Sequence, residues 1–285
     1  MNNQDFEYNV AFSRNIGLLT EEEQVKVRAA KIAIPGMGGG GGSNFIALVR
    51  QGFERFNISD MDVYELKNFN RQYGARLDTI GRSKVEVMKE EALKINPYCQ
   101  IEIFPEGISP TNINAFLAGV SISVDALDAF AVEERRMFYN ESLARNIPVV
   151  TAGPIGFGSA FLIFKPGGPN FDEYFCVSDN LTYDEKILRF MIGLVPSLLQ
   201  RTYMRRTNLK EKRGPSSIAS INIGAGIVVI YVLKILLNKG TVKAVPYYHQ
   251  FDVMRERYVS KRLWFSNNNP LQRIKLLVAR FLVTD

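Results

Sequence analysis

The stretch KIAIPGMGGGGGSNF, residues 31–45, contains six glycines directly after a short apolar run. Lys31 to Pro35 has the composition of a buried strand, and the apolar residues from Phe45 onward begin a helical pattern. A glycine turn between a strand and a helix brings backbone N–H groups and a helix N-terminus close to a phosphate. The stretch therefore predicts a phosphate-binding turn in an α/β fold.

The whole chain has the size of one large α/β domain or of two small ones. It contains 285 residues, 46% of them hydrophobic, which allows a substantial core and excludes global disorder. Its net charge of +6 fits a phosphate-rich ligand, RNA or an acidic protein partner. The polar N-terminus shows no signal peptide, so we expect a cytoplasmic protein.

Cysteine and histidine are too scarce for several common kinds of active site. The chain has two cysteines, Cys99 and Cys176, one histidine, His249, and no C-x-x-C pair, so we expect no zinc site. We expect Cys99 to be a core residue and His249, in the aromatic segment YYHQF, to be a packed or surface residue. The chemistry is therefore expected to depend on carboxylates, basic side chains and a bound cofactor.

Strand and helix patterns alternate along the first 150 residues. The capping box Thr20-x-x-Glu23 predicts a helix to about Ala30, and the glycine turn is followed by a helix to about Gln51. Further strands are predicted near 55–60, at 99–104, within 120–130 and at 147–153, with helices between them. This alternation predicts a Rossmann-like, doubly wound and mostly parallel sheet.

The pattern changes in the second half of the chain. Residues 165–214 lack steady alternation and are interpreted as a crossover insertion, so we predict one domain over 1–245 and a C-terminal extension, 246–285, packed on it. The apolar stretch 217–237 is about long enough to span a bilayer, but Asn222 and Lys234 favour a helix buried on the sheet, and we expect no membrane span. The extension is predicted to contain a strand near 245–253 and an amphipathic helix over 269–283.

The glycine spacing alone is typical of a dinucleotide site. Gly36, Gly38 and Gly41 meet the fingerprint, Gly39 lies among them, and Asp60 falls 19 residues beyond Gly41, where a ribose-binding acid belongs. This spacing alone suggests NAD or FAD.

The residues after Asp60 favour a triphosphate over a dinucleotide. The next segment supplies Asp62, Asn68, Asn70 and Arg71, and Lys84 follows 13 residues after Arg71. A triphosphate carries about four negative charges and a pyrophosphate about two, so an Arg and a Lys at one site suit ATP better than NAD.

Two aspartates follow the predicted strand within 120–130. A carboxylate at the carboxyl end of a strand is well placed to hold Mg²⁺ against phosphates. We predict that role for Asp128, whereas Asp125 is expected to be a turn or helix-capping residue.

Together these segments resemble the ThiF/MoeB/HesA family, the adenylating domain shared with ubiquitin-activating enzymes. Four motifs match in order over about residues 8–150: FSRNIG, which contains Arg14; GMGGGG; D-x-D followed by N-x-N-R-Q and IGRSK; and D-x-x-D. The stretch GAGIVVIYVLKILL resembles a later core helix of the family.

The resemblance implies binding of ATP with Mg²⁺ and attack by a carboxylate on the α-phosphate, which yields an acyl-adenylate and pyrophosphate. It implies that Asp60 holds the ribose hydroxyls, and that a homodimer forms in which Arg14 reaches the phosphates of the neighbouring subunit. The residues then predicted to be catalytic are Arg14, Arg71, Lys84 and Asp128, the last as the Mg²⁺ ligand. The residues predicted to bind the nucleotide are Gly36, Gly38, Gly39, Gly41, Asp60, Asp62, Asn68, Asn70, Arg71 and Lys84.

The chain departs from the family pattern at several positions. The two zinc-binding C-x-x-C pairs of many members are absent. Cys176 lies where some members carry a reactive cysteine, but its aromatic neighbours favour a buried structural thiol. Ala129 replaces the usual Asn after the metal aspartate, and Glu133 replaces the usual Arg, so the metal end of the site is expected to be altered.

The sequence leaves the function open among several hypotheses. The leading one is activation of the C-terminus of a ubiquitin-like or sulfur-carrier protein. The second is a tRNA threonylcarbamoyladenosine dehydratase of the same family, because a basic run could follow RNA phosphates, although a solvated loop is as consistent with it. That run comprises Arg201, Arg205, Arg206, Lys210, Lys212 and Arg213. A nucleotide-binding module without turnover and an NAD-dependent oxidoreductase are the remaining hypotheses.

Overall fold

A computed structural model of the chain describes residues 6–204 and 214–284. Of the predicted basic run, Arg201 lies within the described residues, and the other five members lie outside them.

Within the described residues, eight strands form a single sheet in the order β3-β2-β1-β4-β5-β6-β7-β8. The strands are β1 (Lys31–Pro35), β2 (Arg55–Ser59), β3 (Gln100–Phe104), β4 (Ile122–Asp125), β5 (Val149–Ile155), β6 (Gly158–Phe164), β7 (Tyr247–Asp252) and β8 (Arg257–Arg262). Neighbours are parallel from β3 through β5 and antiparallel from β5 through β8. The predicted Rossmann-like, mostly parallel α/β sheet is confirmed.

Helices cover both faces of the sheet. They are α1 (Tyr8–Ala11), α2 (Glu21–Ala29), α3 (Gly39–Gln51), α4 (Lys84–Ile95), α5 (Ile113–Phe116), α6 (Val132–Ala144), α7 (Phe171–Phe175), α8 (Tyr183–Leu194), α9 (Ile218–Leu236) and α10 (Pro270–Thr284). One core joins α3, α4 and α9 to one face, and a second, rich in aromatic rings, joins α6, α7 and α8 to the other.

The strand order determines where a ligand can approach. β1 pairs with β2 on one side and with β4 on the other, so the chain reverses its direction of winding beside β1. In open α/β sheets, ligands bind at such a switch point, outside the carboxyl ends of the strands. The segments after β1, β2 and β4 meet there, and they carry the glycine turn, Asp60 and Asp128.

Helix α9 is the predicted buried helix, and it packs on α3, β5 and β6. Its residues Gly224 and Ala225 are small and buried, which lets the helix lie close to β5. Within the described ranges, α9 is the one helix long and apolar enough to cross a membrane by length and composition. Its contacts with α3, β5 and β6 cover one side of the helix, and 33% of its apolar window is buried.

The second half of the chain contains more regular structure than its sequence pattern predicts. Strand β6 was not predicted, and the interval interpreted as a crossover contains α7 and α8. The predicted strand near 245–253 is present as β7, and β8 follows it as the last strand of the same sheet. The predicted domain boundary at residue 245 stays a prediction.

Candidate nucleotide-binding site

The glycine turn is folded tightly against the ends of β2 and β4. Gly36 has a φ of +93°, and its N–H donates to the carbonyl of Ser59 at 2.6 Å. A Cβ atom at Gly36 would lie 2.3 Å from the carbonyl oxygen of Ala126, and one at Gly41 would lie 1.7 Å from that of Gly36. Side chains are therefore excluded at Gly36 and Gly41 by close approach of the backbone.

The first turn of α3 is open toward the carboxyl edge of the sheet. Its N-cap residue is Gly38, which offers no side chain to accept from the first N–H groups of the helix. A Cβ atom at Gly40 would meet nothing within 4 Å, so the space above this turn is free. Uncapped N–H groups and the positive end of the helix dipole make this position suited to an anion.

Asp60 connects the glycine turn to the end of β2. One carboxylate oxygen accepts from the N–H of Met37 at 2.6 Å, and the other accepts from the N–H of Asp62 at 2.9 Å. Burial raises the pKa of the Asp60 carboxyl above its usual value, and the charge of Lys84 opposes this shift. The carboxylate lies within the predicted site, next to the turn.

Lys84 is the first residue of α4 and points into the same region. Its Nζ donates to Asp62 Oδ2 at 2.8 Å, and its backbone N–H donates to the Asp62 carbonyl. The Lys84 side chain is 6% exposed, whereas that of Asp62 is 65% exposed. The cation is thus held by a carboxylate that water or a ligand can replace.

The N-x-N-R-Q segment packs against the start of α3. Arg71 Cγ would lie 3.6 Å from a Cβ atom at Gly39, and its guanidinium donates to the Lys67 carbonyl and to Asn70 Oδ1. Arg71 has no carboxylate partner in the described part of the chain. Its charge is therefore available to a phosphate.

Asn68 and Asn70 have local structural contacts. The buried Asn68 accepts from the Glu65 N–H at 2.9 Å, which closes a helical turn. Asn70 Nδ2 donates to the carbonyl of Ser216 at 3.0 Å, which connects the motif to the chain just before α9.

Gln72 is a candidate site residue for which the sequence predicted no role. It is buried beside Gly38, and its Oε1 has no hydrogen-bond partner among the described residues. Gln72 Nε2 would lie 3.8 Å from a Cβ atom at Gly38, so the amide is next to the start of α3. Its signal in the sequence was the last letter of the N-x-N-R-Q motif.

The two aspartates after β4 have different surroundings. The Asp125 carboxylate is buried and bound by Arg135, Tyr139 and Thr151. Asp128 is exposed, and one of its oxygens accepts from the Phe130 N–H at 2.9 Å.

The donor set at Asp128 fits a Mg²⁺ ion held mainly by phosphates. Mg²⁺ in nucleotide sites takes one or two carboxylates and keeps phosphate and water as its other ligands. Asp128 can supply one such carboxylate, and the described residues contain no cluster of three metal-ligating side chains. The described residues offer Mg²⁺ one carboxylate here, and the role of Asp128 as its ligand stays a prediction.

Arg14 does not join these residues within one chain. It is exposed in the 3-10 turn Ser13–Asn15, and the neighbouring Asn15 donates to the carbonyl of Gln51 at 2.9 Å. Gln51 ends α3, so Arg14 lies one full helix, about 18 Å, from the open turn at Gly39.

The single histidine and the two cysteines contact residues other than those of the site. His249 is buried, and its ring stacks on Phe161 with centroids 4.7 Å apart, so the expected packed histidine is confirmed. Burial raises the pKa of Cys99 to about 12, as suits a core thiol. Cys176 ends α7 and donates to the Glu173 carbonyl at 3.6 Å.

Comparison with known protein families shows that the ThiF family matches residues 12–273 of this chain. The tRNA threonylcarbamoyladenosine dehydratase of Haemophilus influenzae is 35% identical over 140 residues, which are 49% of this chain and 53% of that protein. The probable molybdopterin-synthase adenylyltransferase of Porphyra purpurea is 24% identical over 263 residues, which are 90% of this chain and 65% of that protein. The match to the dehydratase thus spans about half of that protein's length.

Solved structures share the fold. PaaA has a TM-score of 0.68 at 21% identity and covers 92% of this chain and 77% of its own. Escherichia coli MccB with ATP has a TM-score of 0.65 at 20% identity, over 91% of this chain and 72% of its own. The E. coli dehydratase TcdA with AMP has a TM-score of 0.60 at 21% identity, over 81% of this chain and 95% of its own.

Proposed function

The chain belongs to the ThiF family, and we propose that it binds ATP and transfers the adenylyl group to a carboxylate, releasing pyrophosphate. This reaction needs orientation of the two reactants and neutralisation of phosphate charge rather than a protein nucleophile. Arg71 and Lys84, near the glycine turn, are cations that can neutralise phosphate charge.

One observation carries the proposal: an arginine without an acidic partner lies beside an uncapped helix N-terminus. Arg71 packs against Gly39, where α3 begins, and the N–H groups of the first turn have no side-chain cap. A dinucleotide pyrophosphate is served largely by such N–H groups. The additional guanidinium of Arg71 and the ammonium of Lys84 suit the higher charge of a triphosphate.

The other site residues take positions consistent with the same ligand. Asp60, on the glycine turn, is proposed to accept from the ribose hydroxyls, with Asn68, Asn70 and Asp62 ordering the phosphate-binding segment. Asp128 is proposed to hold Mg²⁺, which would neutralise charge on the phosphates and on departing pyrophosphate.

Of the two candidate acceptors, a carboxylate carried by tRNA has the better support from the comparisons. The dehydratase relative is 35% identical to this chain, against 24% for the molybdopterin-synthase relative. We therefore propose a threonylcarbamoyladenosine carboxylate on tRNA as the acceptor, in the cytoplasm, and keep the C-terminus of a ubiquitin-like or sulfur-carrier protein as the second candidate. The longer match to the molybdopterin-synthase relative favours the second.

Exchange of labelled pyrophosphate into ATP tests the reaction and its acceptor. We expect exchange that depends on added tRNA carrying threonylcarbamoyladenosine. Arg71→Ala should lower its rate at least about 100-fold, because a charge-assisted contact to the phosphates is lost. Arg55→Ala, an exposed arginine at the opposite edge of the sheet, is the matched control and should retain the rate.

Each result of this assay separates two of the hypotheses. Exchange that depends on a Gly-Gly-ended carrier protein would replace the tRNA acceptor by the second candidate. Binding of ATP without exchange, on either acceptor, would favour a module without turnover. Full exchange by Arg71→Ala would contradict the proposed site.

The position of Arg14 supports a second copy of the chain in the active species. Because α3 separates Arg14 from the open turn, this side chain can reach the phosphates only from another subunit. An uncovered apolar side of α9, together with Phe251 and Tyr258 of the adjoining strands, offers a surface for such a subunit. We therefore propose a homodimer with two shared sites.

Mixing two inactive variants tests the shared site. Arg14→Ala and Arg71→Ala should each be inactive alone, and the mixture should recover up to about a quarter of the wild-type exchange rate, because half of the dimers are mixed and each has one intact site. Recovery should be absent when Arg14→Ala is mixed with an Arg14→Ala/Arg71→Ala chain. A fully active Arg14→Ala protein would show that the residue has no part in the reaction.

A further inference from the structure

Helix α10 faces solvent with its apolar side. Its inward side carries Gln272, which donates to the carbonyl of Ile192 at 3.1 Å, Lys275, which donates to the carbonyl of Pro196, and Leu276. The outward residues recur three or four positions apart and are each at least 44% exposed: Leu271, Ile274, Leu277 and Val278. The apolar stripe of a helix normally faces the core, so the orientation of α10 is the reverse of the usual one.

Exposed aromatic residues extend this surface toward β8. Trp264 and Phe265 are 60% and 79% exposed, and Asn269 Nδ2, at the start of α10, donates to the Trp264 carbonyl. The Arg262 guanidinium lies over the Trp264 ring, 4.2 Å from its centroid. We call Trp264, Phe265 and the outward residues of α10 the C-terminal apolar surface.

Positive charge predominates around this surface, where Glu256 and Asp285 flank the segment and Glu185 pairs with Arg280. Residues 257–284 contain six Lys or Arg and no Asp or Glu. Arg280 pairs with Glu185 and Lys275 points inward, whereas Arg257, Lys261 and Arg273 have no ion pair in the described ranges. The surroundings therefore attract an anionic partner, and they repel a second copy placed against the same surface.

We propose that the C-terminal apolar surface binds the face of an anionic phospholipid bilayer. An amphipathic helix with aromatic and aliphatic residues on one side and cations around it lies in the plane of the headgroups. The 15 residues of α10 are too few to cross the hydrocarbon core. RNA would satisfy the cations but offers no apolar phase to the four aliphatic side chains.

Co-sedimentation of the full chain with vesicles tests the proposal. We expect binding to phosphatidylcholine vesicles with about 30 mol% phosphatidylglycerol and much weaker binding to phosphatidylcholine alone. Leu271→Gln/Ile274→Gln should weaken binding at least about tenfold, since both side chains would leave the interface. Val25→Gln/Leu77→Gln, at two apolar positions elsewhere that are 65% and 81% exposed, should bind like the wild type.

The cationic contribution has its own variant. Arg257→Gln/Lys261→Gln should weaken binding by about an order of magnitude or more, and about 0.5 M salt should reduce wild-type binding. Thermal unfolding of every variant should match the wild type, because all these side chains are exposed.

Several results would overturn the proposal. It fails if the wild type does not sediment with anionic vesicles, or if it binds neutral ones equally well. It also fails if the Leu271→Gln/Ile274→Gln protein binds vesicles as the wild type does, or if this double substitution converts a dimer to a monomer in sedimentation velocity. Binding of RNA without binding of vesicles by the wild type would overturn it as well.

Discussion

Two aspartate–cation pairs at the carboxyl edge of the sheet share their chemistry and differ in their surroundings. In the pair Asp125–Arg135, both side chains are almost fully buried, and Nε lies 2.9 Å from the carboxylate. Tyr139 and Thr151 donate to the same carboxylate oxygen, and Arg135 also donates to two carbonyls. The Asp125 carboxylate already accepts bonds from every side, so it fixes the loop after β4 and is closed to a ligand.

The pair Asp62–Lys84 is open on one side. The Lys84 side chain is buried, but the Asp62 carboxylate is 65% exposed, so only one partner has been removed from water. A phosphate can replace or join that carboxylate without leaving a buried charge alone. Asp125–Arg135, with both partners buried, has the surroundings of a structural pair, whereas Asp62–Lys84 is accessible to a ligand through Asp62.

The largest effect expected from this comparison is on stability. Asp125→Asn should lower the free energy of unfolding by about 3–5 kcal/mol, because it leaves the Arg135 charge buried without a counter-charge. Urea denaturation at neutral pH measures the loss.

Asp62→Asn is the matched control for that substitution. It should cost at most about 1 kcal/mol, since the carboxylate is mostly in water and Asp60 remains beside Lys84. Equal losses in the two variants would mean that the open pair also holds the fold, and the distinction drawn here would be wrong.

The glycine turn beside both pairs allows a sharper contrast within one motif. Gly41→Ala should destabilise the protein by about 1–3 kcal/mol, because the new methyl group would overlap the Gly36 carbonyl oxygen. Gly40→Ala, one residue away, should stabilise it by up to about 1 kcal/mol, since the position is helical and nothing lies near. Thermal unfolding without nucleotide compares them, and similar losses in both would show that the turn is not packed as described.

The parallel part of this architecture could be predicted because its signals are local. The glycine turn, the capping box at Thr20 and the alternating strand and helix patterns each occupy a short stretch of sequence. Strands β1 to β5 lie where these signals predict them. The acidic and basic residues after β1 and β2 converge because the strand order places those ends side by side.

The antiparallel part could not be predicted in the same way. Strand β6 is buried on every residue and lacks alternation. It pairs with β5 across a two-residue turn and with β7, which lies more than 80 residues later, after α7, α8 and α9. The position of Arg14 at the far end of α3, and the outward apolar side of α10, also depend on packing that no spacing in the sequence encodes.

A smaller effect, the pH dependence of stability, tests whether His249 in β7 has only a packing role. The His249 ring stacks on Phe161 and lies near the Tyr258 ring, and its Nε2 is 2.9 Å from the Lys243 carbonyl. Burial lowers the pKa of this imidazole, the hydrogen bond to the Lys243 carbonyl opposes this shift, and the charges of Lys243 and Lys234 add to it. Its Nδ1 faces the hydroxyl of Tyr258 at 3.2 Å.

The sign of the pH dependence follows from that shift. Below about pH 6.5 the unfolded chain takes up a proton on this histidine that the folded chain refuses, so stability should fall as the pH drops from about 7 toward 5. Because His249 is the only histidine, His249→Phe should flatten this dependence while keeping the ring stack. Tyr258→Phe, which removes the hydroxyl near Nδ1 and leaves the imidazole, should retain the wild-type slope. Identical slopes for wild type and His249→Phe would mean that the imidazole titrates alike in the folded and unfolded chains, and that burial does not keep it neutral.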